Sequence, residues 1–335
     1  MSDPVLLAID GGNSKTDVAL VRTDGSVLAA VRGPGSSPHR IGLDGSVRVV
    51  DTLVQSACAH AGISPNGAPI AAIGTYFMAG ADLPAEERAL RHAVESQAWA
   101  AHNHVANDTF AILRAGADVG WGVAVVVGAG INCVGLAPNG RTARFLALGD
   151  VTGDWGGGPD LGLAALGAAV RAEDGRGPAT SLRDAVAAHF GKRRAADVAI
   201  AMHQDRIDRR RALELARFVI AAAGVGDEVA VDILDRQASE VVGLAEAALR
   251  RLRLTRVDVA VVLGGSVMVA LPSPVVDTIE ERLQLTAPKA RCLVCRDRPV
   301  VGAALTALDL AGATDASAKR LRLGLDEDQI QEVAG

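Results

Sequence analysis

Aromatic residues, cysteine and long apolar runs are all scarce in this chain of 335 residues. Aromatic side chains make up 3% of the residues although 49% are hydrophobic, so the core must be built mainly from alanine, valine and leucine. No stretch approaches the ~18 uninterrupted apolar residues of a membrane-spanning helix. The first residues also lack the basic and apolar regions of a signal peptide. The sequence therefore predicts a protein with no membrane partner.

A strong excess of basic charge is also missing, because the net charge is −5 at pH 7. This balance argues against a general nucleic-acid binder. The four cysteines are few for a chain of this length, which fits a reducing cytoplasm. Cys292 and Cys295 form a C-x-x-C in a strand-like segment, but no second pair follows, so packing is favoured over metal or redox chemistry. We therefore expect a cytoplasmic protein with no nucleic-acid partner.

The most informative segment is the first one, where two apolar, strand-like runs flank a loop over residues 10–17. Glycines in such a loop let the backbone approach an anion, and successive N–H groups can bind it. A carboxylate at the end of the first strand, Asp10, is suited to hold a metal ion beside that anion. An ordinary hairpin, in which Gly11 and Gly12 serve only the turn, is the alternative. The loop is longer than a tight turn needs, but the segment alone leaves both hypotheses open.

This strand–glycine turn–strand pattern occurs a second time around residues 128–132, and a third glycine turn, 264–266, follows another apolar run. Each of the first two units precedes a largely helical stretch, which indicates an internally duplicated α/β architecture. A length of 335 residues fits about two domains. Periodicity predicts helices over 44–61 and 84–101, and the last ~20 residues form a polar tail.

In their order and spacing, the three turns resemble the phosphate-1, phosphate-2 and adenosine motifs of the superfamily that contains sugar kinases, actin and heat-shock chaperone ATPases. Within it, the chain resembles the N-acetylglucosamine kinase group and the related BadF/BadG/BcrA/BcrD ATPase family over most of residues 5–310. The resemblance implies an α/β fold in which duplicated ribonuclease H-like (actin-like ATPase) domains flank a nucleotide cleft. We expect an N-terminal domain over 1–115, a C-terminal domain with a helical insertion over 116–315, and the tail over 316–335.

The resemblance also implies which residues bind ATP and Mg²⁺. The glycine hairpins would hold the β- and γ-phosphates, and the third turn would lie against the adenosine. Asp10 would hold Mg²⁺ directly or through water, whereas Lys15 either assists the phosphates or is simply an exposed turn residue. The ATP-binding set predicted in this way is Gly11, Gly12, Asn13, Ser14, Lys15, Thr16, Gly128, Ala129, Gly130, Asn132, Gly264, Gly265 and Ser266.

Asp108 falls where the related kinases carry their catalytic aspartate. It would accept the proton of a sugar hydroxyl as that hydroxyl attacks the γ-phosphate. Capping of the following helix is the alternative role, and both roles can hold together. The resemblance places serines of the loop after the third strand among the sugar contacts, although loop serines are commonly only turn residues. The sugar-binding set predicted in this way is Ser36, Ser37, Asn107, Asp108, Gly130, Gly153 and Asp154.

Several positions depart from the pattern of these kinases. The second phosphate turn carries Ala129 and Ile131 where hydroxyl side chains are usual. Two hydrogen bonds to phosphate, worth ~0.5–1.5 kcal/mol each, are then lost, and backbone N–H groups must bind alone. A further segment, residues 149–157, resembles a stretch of the sugar pocket of these kinases, but it has Gly157 in place of a serine and the bulky Trp155 at a variable position. This second change bears on the identity of the sugar more than on the fold.

We therefore expect an ATP- and Mg²⁺-dependent kinase that converts an amino sugar, N-acetylglucosamine, to its 6-phosphate, with Asp108 as general base. A glucosamine or other hexose kinase is the near alternative. A second class is an ATPase that activates a partner enzyme, although such activators in this superfamily hold an iron–sulfur cluster with cysteines, which are scattered here. A third is a nucleotide-binding regulator without transfer activity, suggested by Ala129 and Ile131. We expect a homodimer.

Overall fold

The computed structural model describes residues 4–64, 67–325 and 330–333, so parts of the expected tail (326–329 and 334–335) lie outside the described residues. The strands in chain order are β1 (Val5–Gly11), β2 (Lys15–Arg22), β3 (Val27–Pro34), β4 (Ala71–Met78), β5 (Ala100–Asn107), β6 (Gly122–Val127), β7 (Ile131–Leu136), β8 (Thr142–Arg144), β9 (Val259–Gly264), β10 (Ala290–Val294) and β11 (Gln331–Glu332). The helices are α1 (Pro38–Ala61), α2 (Pro84–Glu95), α3 (Thr109–Gly116), α4 (Gly158–Glu173), α5 (Leu182–His189), α6 (Ala195–His203), α7 (Ala216–Gly224), α8 (Glu228–Leu252), α9 (Ser266–Ala270), α10 (Ser273–Thr286), α11 (Pro299–Leu310) and α12 (Asp315–Gly324).

The chain forms two compact units. The first contains the residues described within 1–120 and 297–335, and the second contains 121–296. The sheet of the first unit has the order β11-β3-β2-β1-β4-β5. Strands β1, β2 and β3 are antiparallel neighbours, whereas β1, β4 and β5 run parallel. Parallel pairing of this kind requires helices on the faces of the sheet.

Both faces of this first sheet are buried around β1, which is apolar from Val5 to Ile9. Successive side chains of a strand point to opposite faces. Ile9 therefore shares a core with Leu53 of α1, whereas Leu6 shares another core with Leu305 of α11. A continuous apolar strand is typical of a sheet that is covered by helices on both sides.

The sheet of the second unit repeats this arrangement, with the order β10-β9-β6-β7-β8. The first strand of the second hairpin, β6, lies between its antiparallel partner β7 and the parallel strand β9, as β1 lies between β2 and β4. The long helix α8 covers part of this sheet, and its Leu234, Val241 and Leu249 are buried in the core of the unit. The predicted duplicated α/β fold is therefore confirmed within each unit.

The C-terminal segment groups with the first unit, whereas the sequence suggested one domain over 116–315. Helix α11 packs against β1 and α3, and the Thr75 hydroxyl donates to the Ala303 carbonyl at 2.9 Å. Gly302 permits the close approach of α11 to α3, because a Cβ there would lie 1.8 Å from the Ala111 carbonyl oxygen. The return of the chain to its first sheet is a long-range contact, which local periodicity does not contain.

Part of the predicted polar tail is a packed helix. Leu321 of α12 is fully buried, and Arg320 forms an ion pair with Asp24 at 2.6 Å. The Arg322 side chain donates to the Ala115 carbonyl at 2.8 Å. The apolar stripe of a short amphipathic helix was therefore hidden among the many polar residues of this segment.

The helix predicted over 84–101 is shorter than expected, because α2 ends at Glu95 and β5 begins at Ala100. Between them, Ala98 adopts a φ of +53°, which is not helical. Trp99 is buried and its indole N–H donates to Asp51 at 3.0 Å. Burial of this aromatic ring against α1 fixes the turn that separates the helix from the strand.

Within the described residues, no helix is long and apolar enough to cross a membrane. No disulfide joins the four cysteines, all of which are described. Cys58, Cys133 and Cys295 are buried, and Cys292 is partly buried on β10. These positions agree with the packing role expected for the C-x-x-C.

Candidate functional site

The first glycine hairpin is a tighter turn than the sequence suggested. Strand β1 ends at Gly11 and β2 begins at Lys15. The Gly12 N–H donates to the Lys15 carbonyl at 2.9 Å, which closes a four-residue turn. Asn13 and Ser14 are exposed at its tip, as is Lys15. A Cβ on Gly11 would lie 2.5 Å from the sulfur of the methionine that ends β4, so that side chain would have to shift.

Asp10 lies near the end of β1, directly opposite Asp17 of β2. It is only 6% exposed. Burial raises the pKa of Asp10 well above its usual range, and the charges of Asp108 and Asp17 act in the same direction. Asp17 has its own counter-ion, because Arg32 donates hydrogen bonds of 2.6 Å to both of its oxygens. A divalent cation would stabilise the ionised Asp10, and a carboxylate of this kind fits the ligand preference of Mg²⁺.

The predicted sugar loop brings Ser36 and Ser37 to the start of α1, where both are buried. The Thr16 hydroxyl donates to the Ser36 hydroxyl at 2.8 Å, and the Ser36 N–H donates to the Gly12 carbonyl at 3.1 Å. Ser36 therefore ties the loop to the first hairpin. The Ser37 hydroxyl has no hydrogen-bond partner among the described residues, which leaves a buried polar group that a ligand could satisfy. A sugar contact of either serine stays a prediction.

Asn107 and Asp108 lie where β5 ends and α3 begins. The Thr109 N–H donates to Asn107 Oδ1 at 3.0 Å. The Asp108 side chain makes no capping hydrogen bond within the described part of the chain. Asp108 occupies the N-cap position of α3 and hydrogen bonds from Thr109 reach its carboxyl, so a place at the helix start and a base role are compatible.

The surroundings of Asp108 raise its pKa to about 6. Burial is the largest cause and the charge of Asp82 is the next, while hydrogen bonds from Thr109 and from the backbone of Asp108 act in the opposite direction. A carboxyl with a pKa of about 6 is mostly ionised at neutral pH. It is also a stronger base than an ordinary aspartate, which suits general-base catalysis.

Sequence reasoning missed the residues that surround Asp108. Asp82 accepts from the Asn107 side-chain amide at 2.8 Å, and its own N–H donates to Glu86 at 3.1 Å. Glu86 also contacts His39 Nε2 at 2.8 Å. A glutamate at the third position of α2 is a capping signal that could have indicated this turn. No local pattern could have linked this turn to Asp108, which follows a different strand, β5.

In the second unit, the second phosphate turn and the adenosine motif are adjacent. Strands β6 and β9 pair in parallel, which brings Gly264 to the end of β6. Gly265 has a φ of +93°, and a Cβ there would lie 2.4 Å from the Val127 carbonyl oxygen, so only glycine fits. Ser266 begins α9, and its hydroxyl lies 3.9 Å from the place of a Cβ on Gly128. The structure thus brings these two predicted groups together.

The second phosphate turn presents mainly backbone. The Gly128 N–H donates to the Gly130 carbonyl at 2.9 Å, and both Ala129 and Gly130 are exposed. Ile131 is 7% exposed and belongs to the core of the unit. The Asn132 Oδ1 accepts from the following backbone N–H at 2.7 Å. The departures from the kinase pattern therefore leave this turn with backbone N–H groups and no side-chain hydroxyl, and phosphate binding by it stays a prediction.

The predicted sugar segment is held by its own backbone and by α8. The Asp154 N–H donates to the Gly149 carbonyl at 3.0 Å, and the Asp154 carboxylate accepts from the Thr152 hydroxyl. Gly153 is exposed with a φ of +79°. The Arg236 guanidinium lies 3.9 Å from the centre of the Trp155 ring. Sugar binding by Gly153 and Asp154 stays a prediction.

Gly157, the glycine that replaces a serine of the related kinases, packs on the second phosphate turn. It has a φ of +89°, and a Cβ there would lie 2.8 Å from Gly130 Cα. The next residue, Gly158, donates its N–H to the Gly128 carbonyl at 2.8 Å. Gln237 accepts from the Gly157 N–H at 3.0 Å. Sequence reasoning missed Gln237, because a single glutamine in an amphipathic helix gives no local signal.

Known proteins match this chain over both of its units. The profile of the BadF/BadG/BcrA/BcrD ATPase family matches residues 7–307. The chain belongs to this family. It is 27% identical over 303 residues to an N-acetylmuramic acid/N-acetylglucosamine kinase of Clostridium acetobutylicum, covering 90% of this chain and 97% of that one. It is 24% identical over 318 residues to an N-acetyl-D-glucosamine kinase of Dictyostelium discoideum, covering 92% of this chain and 99% of that one.

A solved structure has the same fold as this chain. The crystal structure of a proposed N-acetylglucosamine kinase of Chromobacterium violaceum superposes with a TM-score of 0.68 at 24% identity, covering 92% of this chain and 100% of that one. The expected family and fold are therefore confirmed. The roles of the individual residues of the BadF/BadG/BcrA/BcrD family site in this chain stay predictions.

Proposed function

We propose that the protein transfers the γ-phosphoryl group of ATP to the 6-hydroxyl of an amino sugar, with N-acetylglucosamine as the substrate and Asp108 as the general base. The observation that carries the proposal is the environment of Asp108. This carboxyl has a pKa of about 6, and it follows Asn107, which accepts from the Thr109 N–H at 3.0 Å. The amino-sugar class is supported by two relatives, named as amino-sugar kinases, that match nearly the whole chain.

Asp108 takes the proton of the sugar hydroxyl, whose oxygen forms a bond to the γ-phosphorus. The bond between the γ-phosphorus and the β–γ bridging oxygen breaks, and ADP leaves with that electron pair. The turn that carries the base is fixed from both sides. Asn107 donates to Asp82 and accepts from the Thr109 N–H, so the carboxylate of Asp108 is held in one place.

ATP contacts are proposed separately for each unit. In the first unit, residues 11–16 bind phosphate, and Asp10 would hold Mg²⁺, which neutralises phosphate charge when bound. In the second unit, the turn 128–132 donates backbone N–H groups to phosphate, and 264–266 lie against the adenosine. The glycine content of these turns and the exposure of residues 13–15, 129, 130 and 266 support the assignment. Ser37, with its unsatisfied buried hydroxyl, supports a sugar contact in the loop before α1.

The proposal is tested by coupled ADP release across N-acetylglucosamine, N-acetylmuramic acid, glucosamine and glucose. We expect turnover with N-acetylglucosamine, a 6-phosphate product by NMR, and binding without turnover for 6-deoxy-N-acetylglucosamine. Asp108→Asn should reduce kcat by ~10²–10⁴-fold, the usual contribution of a general base. Asp118→Asn is the matched control, because Asp118 is an exposed aspartate of the same unit.

Three outcomes would contradict parts of this proposal. ATP binding without phosphorylation of any sugar would exclude the kinase. Faster turnover of glucosamine or glucose would change the substrate but keep the reaction. ADP release that requires a partner protein and no sugar would indicate the ATPase alternative.

A further inference from the structure

Gln237 is a buried polar side chain whose hydrogen bonds are only half satisfied. It lies on α8 and is 0% exposed. Its Oε1 accepts from the Gly157 N–H at 3.0 Å, but its Nε2 finds no acceptor among the described residues. A buried donor without an acceptor is costly. An apolar side chain of similar length would avoid that cost but would leave the Gly157 N–H without this acceptor. The glutamine is therefore explained by the bond that its oxygen makes.

The partner of that bond is in direct contact with the second phosphate turn. A Cβ on Gly157 would lie 2.8 Å from both the N and the Cα of Gly130, and 2.9 Å from the Gly128 carbonyl oxygen. The Gly158 N–H donates to the same carbonyl at 2.8 Å. The backbone of Gly157 thus forms the floor of the turn, and a displacement of Gly157 would displace the turn.

The position of this backbone matters more here than in a turn with polar side chains. Ala129 and Ile131 offer no hydroxyl groups, so a phosphate must be bound by N–H groups whose directions are set by the backbone alone. The contact of Gln237 also extends to the residue before Gly157. A Cβ on Gly156 would lie 2.7 Å from Gln237 Nε2, so the side chain approaches Gly156 as closely as it does Gly157.

A neighbouring residue of α8 holds the same segment from the other side. Arg236 stacks over the ring of Trp155, 3.9 Å from its centre. Residues 236 and 237 therefore contact three consecutive residues, 155–157. Two adjacent positions of one rigid helix thus fix the segment that supports the phosphate turn.

We propose that Gln237 is a positioning residue for phosphate binding, which acts through Gly157 to hold the backbone of the turn 128–130. The proposal rests on the proposed function for the identity of the ligand, the phosphates of ATP. Gln237 itself touches no substrate in this account. Its effect on ATP is transmitted by the Gly157 backbone.

The test compares Gln237→Met, which removes the acceptor at similar length, with Gln237→Glu, which keeps an acceptor oxygen in either protonation state. Gln284→Met, at an exposed position of α10, is the matched control. Hydrogen exchange is measured on peptides that cover 128–132 and 155–158. Binding of a non-hydrolysable ATP analogue is measured by calorimetry, and thermal unfolding is recorded for each variant.

We expect Gln237→Met to increase exchange in both segments and to weaken binding of the ATP analogue about 3- to 10-fold, the range that one hydrogen bond supports. Its KM for ATP should rise with little change in kcat. Gln237→Glu should keep the exchange protection of 155–158. Unchanged exchange at 128–132 together with unchanged analogue affinity in Gln237→Met would overturn the proposal. A lower melting temperature with unchanged affinity would do the same, since it indicates a purely structural role.

Failure of the proposed function would be recognised separately. If the wild type phosphorylates no sugar, the kinase is excluded, but the exchange of 128–132 still decides whether Gln237 holds the turn. If exchange responds while the analogue does not bind to the wild type, the positioning role stands and its ligand is not ATP.

Discussion

Asp108→Asn tests the electrostatic account of the site, because it should reduce kcat by ~10²–10⁴-fold and also stabilise the protein. Asparagine has nearly the shape of aspartate and keeps an acceptor oxygen for the hydrogen bonds from Thr109. It carries no charge, however, and the charge is what burial and Asp82 oppose. Burial and Asp82 disfavour the ionised form of Asp108 in the folded protein. Replacing it by a neutral residue should therefore raise stability while it lowers activity.

The magnitude follows from the two pKa values. An ordinary aspartate has a pKa of 3.8, whereas Asp108 in the folded protein has a pKa of about 6. The folded state binds the proton more tightly, so the stabilisation that this proton gives is complete at low pH. It is lost as the pH rises from about 3.8 to about 6. Integrated, ionisation of Asp108 costs about 3 kcal/mol at pH 7.5 and about 1 kcal/mol at pH 4.5.

Urea unfolding of both proteins at the two pH values measures this cost. We expect Asp108→Asn to be more stable than the wild type by up to about 3 kcal/mol at pH 7.5, with the gain shrinking to about 1 kcal/mol at pH 4.5. The exposed control Asp118→Asn should change stability by less than ~0.5 kcal/mol at either pH. A variant that is no more stable at pH 7.5, or a gain that does not depend on pH, would refute the reasoning. Retained kcat would refute the assignment of the base.

Three further predictions use the same units. Asp82→Asn removes the charge that raises the pKa of Asp108, so the acidic limb of the pH profile of kcat/KM should move to lower pH; an unmoved limb would contradict this coupling. Asp10→Asn should stabilise the protein without Mg²⁺, because the pKa of Asp10 is raised, and should remove the Mg²⁺-dependent part of the thermal shift given by an ATP analogue; an unchanged shift would place the metal elsewhere. Gly302→Ala should destabilise the first unit by ~1–3 kcal/mol or more in urea unfolding, because its Cβ would overlap a carbonyl of α3. Gly167→Ala, at an open helical position, is the control and should not be destabilising.

The sequence by itself determined the features that depend on neighbours along the chain. Apolar runs separated by glycine turns predicted both hairpins, and the order of the three turns identified the family. Asp108 could be singled out because it falls where the related kinases carry their catalytic aspartate. Hydrophobic periodicity and turn chemistry are local properties, so they are legible without a structure. They failed where a local pattern was ambiguous, as at the end of α2, where the burial of Trp99 decides the boundary.

Only the tertiary structure decided what surrounds these groups. The bond from Gly157 to Gln237 joins residues 80 positions apart, and the contact between Arg114 and Asp309 joins residues 195 positions apart. The pKa of Asp108, which follows β5, is raised by the charge of Asp82, which lies between β4 and α2. Burial and charge act through space, and the chain distance between two residues does not reveal whether they meet. The sequence thus determined which backbone turns exist, and packing decided which side chains hold them and how strongly their carboxylates bind a proton.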